Sequence, residues 1–211
     1  MIITYHGMEA FRMQFGDTIL AFNPPSKNSK LKGSRFGADI ALISLNHNDM
    51  NGAEQIGIGD RQPVVVRGPG EYEIKGIFIK GFPSTSHYGG ESLINTIYTV
   101  EIEGMHICFL GAVDTVELGN DLREALENID ILVLPVAGDG VLTPAEAAKL
   151  AVQIEPAIVI PMHWGEGMTP ALKTFLKESG AEDTKPVDKL TVKKKDLEGK
   201  QGEVVVLSVA V

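Results

Sequence analysis

The hydrophobic period of this chain changes once, near Gly111, and that change limits the fold more than any other feature. Before it, short runs of β-branched and aromatic residues are punctuated by Gly, Asn and Pro, the pattern of strands and turns. Strands are expected over 2–5, 10–15 and 18–22, with Gly16-Asp17 as a tight turn, and then over 38–44, 63–67, 72–80, 96–103 and 106–110. After it, helical patterns at 118–128, 144–153 and 170–179 alternate with apolar runs at 131–135 and 157–161. Parallel strands need a crossover and a helix supplies one, so the second half reads as a βαβ rhythm. Thr143, Pro144 and Glu146 make a complete helix start, with N-cap, first-turn proline and capping box. The end of the chain, 190–197 and 203–209, reads as a hairpin. The segment 81–95 is too polar for a strand and reads as a mobile loop bordering a cleft, because it offers little apolar area to offset its ordering entropy.

In sheets with helical crossovers, ligands bind beyond the carboxyl ends of the strands. Four such ends carry polar groups here: 40–44 leads to His47 and Asp49, 107–110 to Asp114, 131–135 to Asp139, and 158–161 to His163. If these strands share one sheet, the residues share one rim, with His47 and His163 at adjacent strand ends. Gly138-Asp-Gly140 before the capped helix reads as a turn before it reads as an anion site, and His6 and His106 read as structural.

Composition narrows the partners. With 44% hydrophobic and 22% charged residues, 211 residues suffice for a packed core, expected as one domain over 1–211. A net charge of −9 argues against a nucleic-acid partner, which needs a basic face. The basic stretch Lys27, Lys30, Lys32 and Arg35 reads as a solvated loop. Cys108 is the single cysteine, which excludes an internal disulfide, and its neighbours Ile107 and Phe109 make it a packing residue. The start of the chain lacks a cationic segment followed by an apolar one, and no apolar run approaches the roughly 18 residues that span a bilayer. A cytoplasmic protein is expected, with no membrane partner, a small-molecule substrate or ligand, and homo-oligomerisation left open.

Four segments then carry a resemblance: Ser44-Leu-Asn-His-Asn-Asp-Met50, Ile107-Cys-Phe-Leu-Gly-Ala112, Ile131-Leu-Val-Leu-Pro-Val136 and Ile160-Pro-Met-His-Trp164. In this order, after the opening Thr4-Tyr-His-Gly-Met-Glu-Ala-Phe11 and Thr18-Ile-Leu-Ala-Phe-Asn-Pro24, they resemble small bacterial hydrolases of the metallo-β-lactamase superfamily, the branch that includes ascorbate-phosphate lactonases. The resemblance covers nearly the whole chain. It implies an α/β fold of the αββα kind, two sheets face to face with helices outside.

The same resemblance implies a two-metal site and shows where this sequence departs from it. The family motif His-x-His-x-Asp-His falls on Leu45, His47, Asp49 and Met50, so its outer histidines are replaced. The third-strand histidine matches His87, the bridging aspartate falls on Ala112, and the last histidine is His163. Met8 and Asn23 stand where the N-terminal signature has histidine and aspartate. A catalytic zinc normally takes three protein ligands and one water, and neither inherited half-site reaches three. His47, Asp49, His87 and His163 remain as a rearranged mononuclear set for Zn²⁺, or Mn²⁺ instead. On that reading Asp49 also orients a metal-bound water for attack on an ester, lactone or phosphoester. The alternative is a non-catalytic relative, a ligand-binding or assembly module with a degenerate site and no metal.

Overall fold

The computed structural model describes residues 1–31, 33, 36–165 and 167–210. Two mixed sheets lie at its centre. In the first, β1 (Ile2–Tyr5), β2 (Phe11–Phe15) and β3 (Thr18–Phe22) form an antiparallel meander, and β4 (Ile40–Ile43) and β5 (Val64–Arg67) continue it in parallel. In the second, β6 (Gly70–Ile74), β7 (Ile77–Ser86), β8 (Leu93–Ile102) and β9 (Met105–Phe109) run antiparallel. That sheet then turns parallel through β10 (Ile131–Pro135) and β11 (Ile158–Met162). Helix α1 (Asn120–Ala125) joins β9 to β10, and α2 (Pro144–Ile154) joins β10 to β11. α3 (Pro170–Glu178) packs beside α2. Both crossovers step the same way along the sheet, so right-handed connection puts their helices on one face. The Thr143 cap forms as expected: its hydroxyl accepts from the Glu146 N–H, and the Glu146 carboxylate accepts from the Thr143 N–H at 2.9 Å.

The fold class read from the sequence stands, with one layer thin. Among the described residues the outer face of the first sheet is covered by a single 3-10 turn at Ala53–Gln55, not by α-helices. The sequence explains this: that face is built of Ala21, Ala41 and Ile43, and Ala38, Ala53 and Ile56 suffice to cover such small side chains. Between the sheets the residues are larger. Phe22 from the first sheet stacks on Phe109 from the second at 4.6 Å between ring centroids, and Phe11 meets Phe109 edge-on. Each phenylalanine buried there contributes roughly 1.5–3 kcal/mol. Cys108 lies fully buried in this core, where burial raises its thiol pKa and leaves it a packing residue.

Three local expectations fail for physical reasons. The run 72–80 is not one strand, because Lys75 and Gly76 both take positive φ and turn the chain between β6 and β7. Most of 81–95 is not a loop: 81–86 extends β7 and 93–95 begins β8. The polar residues there are absorbed by the ladder, with Phe82, Ser86 and Asn95 turned inward. Only 87–92 connects the strands. The chain end is not a hairpin either, since β12 (Leu190–Thr191) pairs with β1 in the first sheet and β13 (Glu203–Val204) with β11 in the second. Among the described residues no helix is long and apolar enough to cross a membrane.

Register decides what reaches the rim. Ile107, Ile131 and Ile158 are in line across β9, β10 and β11, so these strands end together. In the other sheet Phe22 is opposite Leu42, which brings Asn23 beside Ser44. The strand ends leading to His47 and to His163 therefore belong to different sheets, contrary to the single-sheet premise. They share a rim because the sheets touch there, Thr96 of β8 donating its N–H to the Ser44 carbonyl at 2.8 Å.

Candidate functional site

His47 sits in the turn after β4. Its Nδ1 accepts the Asp49 N–H at 3.2 Å and lies 3.6 Å from the Asp49 carboxylate. A Cβ added at Gly89 would lie 3.2 Å from Nε2, so the other ring nitrogen faces the 87–90 turn. Asp49 is committed on both oxygens: the Ser29 hydroxyl donates to Oδ1 and the Tyr88 hydroxyl to Oδ2, the latter at 2.8 Å. His163, buried after β11, holds Glu9 Oε1 at 2.8 Å through Nδ1.

Between the two histidines stands Tyr88. Its ring meets His47 at 4.9 Å and His163 at 5.0 Å between centroids, edge-to-face with both. Burial, the bond to Asp49 and the nearby charges of Asp49, Glu9 and Asp139 all push its phenol above the ordinary tyrosine range. Tyr88 thus stays neutral and donates. The turn that carries it is backed by Gly140, whose φ is +90° and whose hypothetical Cβ would lie 2.8 Å from Tyr88 Cα. Only glycine permits that approach. The Gly138–Gly140 turn is therefore a packing device against Tyr88.

Leu45, Met50 and Ala112, which the resemblance placed at metal-ligand positions, are buried together with Val141 in a small apolar cluster. Tyr88, Leu93 and Ala137 pack against it. His87 turns the other way. Its side chain is 61% exposed, its Nδ1 pairs with the Asp114 carboxylate, and the same carboxylate accepts its N–H at 3.0 Å. His87 and Asp114 satisfy each other outside the cleft.

The sequence-derived set His47, Asp49, His87 and His163 is thus not brought together around one point. Among the described residues no three His, Cys, Asp or Glu side chains are placed to hold one ion. The donors present do not fit a metal that takes three protein ligands.

Two residues that the sequence reading passed over organise the remaining polar groups. Glu9, fully buried, accepts from Asn23 Nδ2 at 2.8 Å on the oxygen that His163 does not use. Asn23 also donates to Ser44 Oγ at 2.7 Å and accepts the Ser44 N–H at 2.8 Å. A carboxylate at position 23 would face Glu9 oxygen to oxygen, so the amide is the group that fits beside it. An acid placed among the apolar residues of the N-terminal signature was the available signal for Glu9. For Tyr88 it was a lone aromatic in the glycine-rich run Ser86-His-Tyr-Gly-Gly90.

The backbone around this network is strained. Among the described residues seven non-glycine residues have positive φ, and Lys75, Glu103 and Glu155 are accounted for by turns or a helix end. The other four, Met8, Asn23, Asp139 and His163, all lie on the rim. Such conformations cost about 1–3 kcal/mol each and gather at functional sites.

A family model described as a beta-lactamase superfamily domain matches residues 2–163, and the two-sheet architecture agrees with it. This chain is a member of the metallo-β-lactamase superfamily. It is similar to a UPF0173 metal-dependent hydrolase of Thermococcus onnurineus, 27% identical over 171 residues that cover 70% of this chain and 75% of the relative. A superfamily protein from Thermotoga maritima, a proposed Zn-dependent hydrolase, superposes with a TM-score of 0.76 at 24% identity, covering 99% of both chains. The metallo hydrolase Igni18 of Ignicoccus hospitalis gives 0.63 at 18% identity, covering 100% of this chain and 96% of that one. This superfamily member shares the two-sheet scaffold of these structures. Its rim carries the packed apolar cluster of Leu45, Met50, Ala112 and Val141, with Tyr88 against it.

The rim also contains a titration signature. His6, in the N-terminal loop, stacks on Phe36 at 4.4 Å, and burial together with the nearby Arg12 charge pushes its pKa down to about 4. The unfolded chain then binds more protons than the folded one between about pH 6.5 and 4, so stability falls as pH drops through that window. Discounted for the ring's partial solvent exposure, the loss is on the order of 1–2 kcal/mol. Denaturant titrations should show this slope in the wild type and its absence in His6→Phe, which keeps the stacking. An unchanged slope in the variant would assign the acid sensitivity elsewhere.

Proposed function

We propose that this protein is a ligand-binding member of the superfamily, built on a hydrolase scaffold but working without a metal-activated water. One observation carries the reading: Tyr88, hydrogen-bonded to Asp49 and wedged between His47 and His163, closes the cleft over the cluster of Leu45, Met50, Ala112 and Val141. A water activated by zinc needs an open coordination position beside three ligands, and the groups left here are occupied by one another.

A second reading keeps its own support. His47, Asp49 and His163 still border one tyrosine, so a swing of Tyr88 would leave them as donors for a single zinc or manganese and a slow ester, lactone or phosphoester hydrolysis. Elemental analysis of protein purified without chelators separates the two. So do assays with 4-nitrophenyl butyrate, γ-butyrolactone and bis(4-nitrophenyl) phosphate, with and without added zinc or manganese. The ligand-binding reading expects well under one equivalent of metal and no metal-stimulated turnover. One tight equivalent, with turnover lost in His163→Ala, would establish the second reading.

A further inference from the structure

Against the N-terminal loop, at His6, Gly7 and Met8, is a cavity of about 280 Å³. Met8, Pro25, Leu31 and Val209 supply apolar walls, and His6 and Lys30 supply the polar ones. The cavity is tied to the closed centre at two points. The Met8 carbonyl accepts the His163 N–H at 2.7 Å, and the loop carrying Lys30 is clasped to the Asp49 turn by Ser29 and by Ser26 N–H to Asn48 carbonyl at 2.8 Å. Of the basic stretch noted in the sequence, Lys27 and Lys30 are described; Lys32 and Arg35 lie outside the described residues.

The polar walls have definite chemistry. The single hydroxyl hydrogen of Thr4 goes to the Arg12 carbonyl, so Thr4 Oγ1, 3.3 Å from His6 Nε2, accepts from that nitrogen. The neutral ring therefore carries its hydrogen on Nε2 and a lone pair on Nδ1. That Nδ1 is buried and has no hydrogen-bond partner, which is rare enough in folded proteins to need a cause. Lys30 is exposed and has no carboxylate within ion-pair distance among the described residues, in a chain whose net charge is −9. At about 30 Å³ per water in the liquid, the space equals roughly nine waters, the size of a small acid with one ring.

We propose that this cavity is a ligand site for a small organic anion that has an apolar body and a hydroxyl or amino donor. The body packs on Met8, Pro25, Leu31 and Val209, the anion meets the Lys30 ammonium, and the donor reaches His6 Nδ1 after a small outward shift of the covering side chains. The proposal rests on the ligand-binding reading above and gives that reading its ligand class. Displacing the 25–31 loop would pull on Ser29 and thus on Asp49 and Tyr88, so occupancy of the cavity is felt at the closed centre.

The test uses three matched probes in calorimetric titrations of the 211-residue chain in EDTA. 3-Phenyllactate has both the anion and the donor, 3-phenylpropionate lacks the hydroxyl, and 3-phenyllactamide lacks the charge. One satisfied hydrogen bond or ion contact corresponds to about tenfold in affinity, so phenyllactate should bind about tenfold more tightly than either analogue. His6→Phe should erase the preference for the hydroxyl and Lys30→Met the preference for the carboxylate. Leu31→Trp, which fills the cavity, should abolish binding of all three while thermal unfolding confirms its fold. Equal affinity for the three probes overturns the proposal, as does tight binding to Leu31→Trp. A repeat with zinc in place of EDTA separates the two readings. No binding in either condition overturns the cavity site alone, and binding that requires zinc overturns both the site and the metal-free reading.

Discussion

Changing Leu45 and Met50 to histidine and Ala112 to aspartate is expected to bring the metal-free protein close to unfolding. All three residues are buried, at 1%, 0% and 0% exposure, and they pack on one another and on Val141. Each new polar group enters that cluster unpaired, at about 1–3 kcal/mol apiece, or roughly 3–9 kcal/mol together. Native stabilities are only about 5–15 kcal/mol, and at roughly 2–4 °C per kcal/mol for a chain of this size the melting temperature should fall by at least 6 °C. Zinc should return little of this while Tyr88 stands between His47 and His163. With Tyr88→Ala added, the new side chains join His47, Asp49 and His163 with room for an ion, and saturating zinc at about 1,000 times its Kd should restore roughly 4 kcal/mol. Calorimetry of both variants in EDTA and in zinc, with elemental analysis, checks the whole argument. Full stability of the triple variant in EDTA would show that the cluster is not a packed plug. Two tight equivalents of zinc in the wild type would show that the centre is intact.

The architecture was legible because the residues that define it act locally. Thr143 and Glu146 cap a helix whatever lies around them, and β10, a run of five apolar residues, is buried along its whole length as such a run must be. Legibility stopped where a residue's partner was distant in sequence. Ser84 and Asn95 look like loop residues until their mutual bond and the Asn95 bond to the Leu110 carbonyl are seen, and then they belong to strands. His87 matched a metal position by sequence, but Asp114, 27 residues away, takes its imidazole out of the cleft. By the family resemblance Leu45, Met50 and Ala112 were expected to stand where ligands would be. That they form a packed cluster with Tyr88 against it was not legible, because packing depends on strand ends meeting in three dimensions. Glu9 stood out as an acid among apolar residues, but its role did not, because its partner His163 lies 154 residues on.

Glu9→Leu should be among the most destabilising single substitutions in the molecule. The carboxylate is fully buried, and it answers His163 Nδ1 on one oxygen and Asn23 Nδ2 on the other, both at 2.8 Å. Removing it leaves a buried imidazole nitrogen without a partner, and Asn23 keeps only Ser44. Breaking a buried pair from one side costs about 3–5 kcal/mol, which here means roughly 6–20 °C in melting temperature. The loss should spread, because Glu9 ties together three residues whose strained backbones hold the rim: Asn23, His163, and Met8 through its carbonyl bond to His163. His163→Phe should cost a similar amount for the mirror-image reason. The double variant Glu9→Leu/His163→Phe should lose clearly less than the sum of the two, since it leaves neither partner buried alone. A double-mutant cycle in urea measures that coupling. Additive losses would mean that the two side chains act separately. Single losses under about 1 kcal/mol would mean that solvent already reaches the pair, and that Glu9 and His163 are not what fixes the rim.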